Sequence, residues 1–171
     1  MSDRRQYFGK YRGMVLNNID PMQIGRLLVQ VPDVLGPGTS SWAMPCFPVT
    51  GTQMGFWSIP QINTGVWVEF EQGDIEHPIW SGCWYGSAAD VPALALATQP
   101  PLSSVFMQTA AQVTFQLSDL PGPAGGILMK TATGAMIAVN DVGITISNGK
   151  GATIVMTGPT VTVNAGALVI T

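Results

Sequence analysis

Glycine returns with a regular beat over the last third of this chain. Gly126, Gly134, Gly143, Gly151, Gly158 and Gly166 stand eight, nine, eight, seven and eight residues apart, with short apolar/polar alternations such as G-I-T-I-S and T-V-T-V-N between them. Each interval has room for one strand and one turn. Upstream, V-F-M-Q-T-A-A-Q-V-T-F-Q-L-S-D (105–119) aligns without gaps on I-L-M-K-T-A-T-G-A-M-I-A-V-N-D (127–141), sharing Met107/Met129, Thr109/Thr131, Ala110/Ala132 and Asp119/Asp141. The repeat therefore begins near Val105. A one-chain β-solenoid of ordinary cross-section spends about 18–30 residues per coil. Eight-residue steps are too brief for that, so several chains are expected to share each coil.

Three chains wound about a common axis meet the geometry. Each contributes one strand per layer, apolar residues from all three fill the axis, and backbone groups pair between chains. The expected axial residues are Ile144 and Ile146, Ile154 and Met156, Val161 and Val163, and Leu168 and Ile170, with threonines facing out between them. About eight strands at a spacing of ~4.8 Å make a needle on the order of 40 Å long. Composition agrees: 46% of residues are apolar and only 10% charged, against about 25% charged in an average soluble domain. Such a chain is expected to bury surface against copies of itself as a homotrimer.

The first half is built differently. All five tryptophans and all three tyrosines precede residue 86, no aromatic residue follows Phe115, and thirteen of the seventeen charges fall in the first ninety positions. Runs of β-branched and aromatic residues alternate there with turn clusters: Tyr7–Leu16, Arg26–Val31, a proline-interrupted Trp42–Val49, Val66–Glu71 and Pro78–Tyr85. Five strands with no amphipathic helix suggest a small closed barrel of the oligomer-binding (OB) type. The fold class expected is all-β: a five-stranded OB-fold barrel over 1–86, a connector over 87–104, and a triple-stranded intertwined β-helix over 105–171. The connector is rich in Ala, Ser and Pro and reads as semi-extended, because its prolines disfavour helix. Trp67 and Trp80, on alternating strands, are expected in the core, and Phe56 and Trp57, in the M-G-F-W-S-I-P loop, at a contact with another protein or subunit. Arg4, Arg5, Lys10 and Arg12 read as a flexible arm or a docking contact.

Several functions are disfavoured. A net charge of −3 has the wrong sign for a partner of nucleic acid. No stretch approaches the ~18 apolar residues of a spanning helix, and no secretory h-region follows the N-terminus, so folding in a cytoplasm is expected. Cys46, Cys83 and the single His77 are too few and too far apart for zinc. The two thiols are either buried on neighbouring strands or joined in a disulfide after release from a reducing compartment; the sequence admits both. Glu69, Glu71, Asp74 and Glu76 could serve a glycoside hydrolase, but Glu69 and Glu71 share one strand face and G-D-I-E-H-P is a turn, so they read as solvated barrel residues. A Cys–His dyad lacks an orienting group. No catalytic, cofactor or metal residues are expected.

The chain resembles the central spike of contractile injection systems, the baseplate assembly protein V family of tailed phages and the related VgrG-type spikes. The likeness rests on G-K-Y-R-G-M-V-L-N-N-I-D-P-M-Q-I-G-R-L-L-V-Q-V-P, W-A-M-P-C-F-P and G-V-W-V-E-F-E-Q-G-D-I-E-H-P-I-W-S-G in the barrel, and on K-T-A-T-G-A-M-I-A-V-N-D in the needle. It implies a trimer in the virion's tail baseplate, assembled in the host cytoplasm, with the barrels as a collar under the tail-tube hub protein and the needle crossing the host outer membrane on contraction. Because the sequence starts almost at the barrel, the hub is expected to be a separate chain. Some relatives end in a His-x-His apex that holds iron; here the end is G-A-L-V-I-T. The apolar end formed by Leu168, Val169, Ile170 and Thr171 is expected to dock a separate PAAR-like tip protein. The alternative from another class is a trimeric glycan-binding tail fibre whose barrel aromatics touch sugar.

Overall fold

A computed structural model describes residues 5–170, and the chain divides between Ala88 and Ala89 into two compact units. The first contains β1 (Tyr11–Asn17), β2 (Leu28–Gln30), α1 (Pro32–Leu35), β3 (Met44–Pro45), β4 (Thr50–Gly51), β5 (Met54–Gly55), β6 (Gly65–Phe70) and β7 (Pro78–Trp84). Five of these form one sheet in the order β2-β1-β6-β7-β3, antiparallel except for β3 alongside β7, while β4 and β5 make a separate hairpin. A bridge ties the two edges of the sheet together: Leu27 N–H donates to Ala43 O at 3.0 Å and Ala43 N–H to Leu27 O at 2.8 Å. This order with one parallel pair is the OB topology. Pro45 lies in a two-residue edge strand, where a missing N–H costs least.

Alternation decides the core. On β6 Val66, Val68 and Phe70 are buried and Trp67 and Glu69 are not, and the interior is completed by Val15, Leu27, Val29, Val31, Ala43 and Trp80. Each fully buried aliphatic side chain contributes about 1.5–3 kcal/mol. Trp80 donates its indole N–H to Gly25 O at 3.0 Å, so its polar atom is satisfied. Gly13 lets β1 approach β6: a Cβ there would stand 2.8 Å from Val68 Cγ2 and 3.1 Å from Gln30 O.

Three sequence expectations need correction here. Trp67 is not core; the phase of β6 sends it outward, where it meets Trp84 at 6.5 Å between ring centroids, and Arg12 lies over both rings. Cys46 and Cys83 are exposed, unpaired thiols rather than buried ones or a disulfide: Cys46 falls just past the two-residue edge strand β3, and Cys83 next to last in β7, at the end of the barrel. Lys10 and Arg12 are not a loose arm: Arg12 belongs to β1, and Lys10 pairs with Glu69 at 3.2 Å. Arg4 lies outside the described residues.

The second unit contains α2 (Ala93–Ala97), then β8 (Ser104–Gln108), β9 (Thr114–Ser118), β10 (Gly126–Lys130), β11 (Met136–Asn140), β12 (Gly143–Ser147), β13 (Thr153–Thr157), β14 (Thr160–Val163) and β15 (Leu168–Ile170). The connector is thus not wholly extended. Pro92 stands just before the first turn of α2, where its missing N–H costs nothing, and A-L-A-L-A consists of strong helix formers. β8 to β15 form one eight-stranded sheet in strict sequence order, every pair antiparallel. Backbone pairing between successive strands is therefore satisfied within one chain, where the sequence reading had placed it between chains. The glycine beat marks strand starts and turns. At Gly143 φ is +152° and a Cβ would fall 2.0 Å from Met156 O; at Gly126 φ is +76° and the gap to Val139 O is 2.1 Å. No other residue fits either position without parting two strands.

Candidate functional site: an apolar ladder on one sheet face

Residues directly opposed in an antiparallel pair share a face of the sheet. Following the register from strand to strand gives one line through Val105, Leu117, Ile127, Val139, Ile144, Met156, Val161 and Ile170, and a second through Met107, Phe115, Met129, Ile137, Ile146, Ile154, Val163 and Leu168. Every position in both lines is apolar. The middle line of the opposite face runs Phe106, Gln116, Leu128, Ala138, Thr145, Val155 and Thr162, a mixture. All eight residues expected to be axial therefore fall on these two lines. The lines also take in eight residues between Val105 and Val139 that were not among the expected axial residues. Their signal was the gapless repeat of 105–119 on 127–141, whose apolar positions alternate with the same phase.

This face is open in the single chain. Val105 is 55% exposed, Ile137 44%, Ile146 39% and Ile154 38%. Monomeric proteins rarely leave so long a contiguous apolar strip in water. Among the described residues β15 ends the sheet with one edge unpaired, and Leu168 on it is exposed. Of the other expected tip residues, Val169 and Ile170 have their backbone in β15, while their side chains and the whole of Thr171 lie outside the described residues.

The barrel's candidate groups do not assemble into a reaction centre. Lys10, then Ser81, hold the Glu69 carboxyl below the ordinary carboxylate range, so it is an ion-paired anion rather than a proton donor. Asp74 accepts from the Glu76 N–H at 3.1 Å and stands 3.5 Å from His77 Nδ1, inside a turn. Arg5, Glu71, Asp74 and His77 line a shallow surface pocket of about 390 Å³. Cys83 is exposed as a residue, but neighbouring atoms partly desolvate its sulfur and push the thiol up, away from the reactive thiolate. Among the described residues no group of three or more His, Cys, Asp or Glu side chains could hold a metal. Phe56 and Trp57 follow β5 and are both exposed; the Trp57 ring leans on Phe47 at 5.6 Å.

Comparison with known proteins gives two family matches. Residues 11–85 match the type VI secretion system/phage-baseplate injector OB domain, and residues 104–169 match the phage baseplate V C-terminal trimerisation domain. No curated protein matches the chain.

Proposed function

Since the chain belongs to the phage baseplate V family of injector spikes, structural and non-catalytic components of a tail baseplate, we propose that three copies of it form the central spike that pierces the host envelope on contraction. The observation that carries this reading is the pair of uninterrupted apolar lines on one sheet face. Three such faces turned inward bury each other's apolar side chains, so the trimer removes a surface that a monomer must expose. Intertwining of the three chains is then a matter of side chains meeting at the axis, since successive strands already pair within each chain. A narrow prism concentrates the force of the contracting sheath on a small area, and bending it would break ladder hydrogen bonds.

In the assembled particle the barrels form the collar that meets the tail-tube hub, and the far end of the needle docks a separate PAAR-like tip protein. The open edge of β15 and exposed Leu168 support the tip contact. Assembly takes place in the host cytoplasm, and the outer membrane is touched only in transit. Sedimentation of the purified protein tests the reading: three times 18.1 kDa is expected, and a stable monomer at micromolar concentration would overturn it.

One observation favours a second reading, a trimeric glycan-binding fibre: Trp67 and Trp84 face outward with Arg12 across them. Sugar binding by the full-length protein that disappears in Trp67→Ala would replace the spike reading by this one.

A further inference from the structure

Two loops at one end of the barrel present apolar side chains that no described residue of the barrel covers. β1 ends at Asn17, and the chain returns to β6 beside it, with Asn63 N–H donating to Val15 O at 2.9 Å. β7 ends at Trp84 opposite Gly65. The 18–27 turn, the 46–64 loop and the exit of the chain from the barrel therefore share one end. The opposite end carries the entry of the chain and the 71–77 turn, joined by Tyr7 N–H donating to Gly73 O at 3.0 Å. In these loops Ile19 is 77% exposed, Met22 62%, Met54 64%, Trp57 62% and Phe56 49%.

These tips are held rigid from below. The Asp20 carboxylate accepts the N–H groups of Met22, Ile24 and Arg26 and two further bonds from the Arg26 side chain, at 2.7–3.1 Å. The guanidinium of Arg26 in turn lies over the Trp42 ring. Asn18 Nδ2 donates to Pro60 O at 2.9 Å and ties one loop to the other. Trp57 leans on Phe47, and Phe47 stands edge-on to buried Trp80 at 5.4 Å. Fixed apolar groups lose little entropy on being covered, which is what a contact surface needs.

The occupant follows from charge and tether. Residues 46–64 contain no charged side chain, and the only charges in 13–31, Asp20 and Arg26, neutralise each other. Copies of a chain with net charge −3 repel least through such an end. The chain also leaves the barrel at this end, and the residues that follow, 104–169, match a trimerisation domain. Three barrels tethered by residues 85–103 meet at an effective concentration in about the millimolar range, so a modest contact suffices.

We propose that this barrel end is a contact between copies of the chain: within the trimer, the 18–25 and 47–57 loops of each barrel seat against a neighbouring barrel. The inference rests on the trimeric reading above. Hydroxyl-radical footprinting of the full-length protein, with sedimentation on the same sample, tests it. Relative to the unfolded chain, Met22, Met54 and Trp57 are expected to be oxidised several-fold more slowly than their exposure in one chain would allow, while Phe8, equally exposed at the other end, is not protected. The double variant Met22→Ser, Trp57→Ser is expected to remain trimeric and to lose the protection at Met54. A trimer whose three residues oxidise freely refutes this contact and leaves the trimer standing. A monomer removes both. Protection that appears only when another tail protein is added assigns the surface to that protein and overturns the inference.

Discussion

Ile146 lies in the middle of the apolar ladder, opposed by Ile137 on one side and Ile154 on the other. Its own chain leaves it 39% exposed. Burying a whole isoleucine side chain contributes about 1.5–3 kcal/mol, so covering that remainder contributes about 0.6–1.2 kcal/mol per chain and about 2–3.5 kcal/mol per trimer. Ile146→Ala should therefore weaken the trimer roughly 30- to 300-fold, read by sedimentation over a dilution series. Ile146→Asp brings three carboxylates into one dry layer, at a cost of several kcal/mol each, and should leave monomers at micromolar concentration. Thr145→Ala, one residue away on the opposite face, should shift the equilibrium by less than about 0.5 kcal/mol. Circular dichroism confirms that the strands persist in each variant. A trimer of Ile146→Asp as tight as the wild type, or a Thr145→Ala variant as disruptive as Ile146→Ala, would refute the reasoning.

Gly143→Ala must part β12 from β13 to place its methyl group and should cost more than about 2 kcal/mol of stability. By contrast, Gly151→Ala, with open space around its Cβ position, should pay only about 1–2 kcal/mol for its left-handed backbone. Denaturant titration of both variants checks the difference. Trp80→Phe strands Gly25 O in the barrel without its donor and should cost about 1–3 kcal/mol by the same method. The Asp20 carboxyl is held well below its ordinary value, first by Arg26 and then by the backbone N–H groups of Met22, Ile24 and Arg26. A depressed folded pKa stabilises above the unfolded value of about 4 and loses that contribution as pH falls through the folded value. Asp20→Asn should therefore melt lower than the wild type from neutral pH down to about 4, with the gap narrowing below that; a gap unchanged at pH 2.5 would contradict this account.

The beat of glycines, the loss of aromatics after Phe115 and the alternation of V-W-V-E-F-E were enough to read two all-β architectures, the strands of the barrel and half of the apolar ladder. These features are local: a turn needs its glycine and a two-sided strand needs its period, whatever lies next to it. Phase and partner are not local. Alternation says that Val66 and Trp67 face opposite ways, but only the small barrel interior decides that the valine goes in and the tryptophan out. The same holds for Cys46 and Cys83, whose strands were legible and whose exposure was not. Short strands recurring every eight residues are equally compatible with pairing between chains or with the next strand of the same chain. Hairpin closure settles it, because a turn of a few residues brings the neighbour into register at little entropic cost. That register lines up sixteen apolar residues on one face, an arrangement visible only when each strand is laid beside the next.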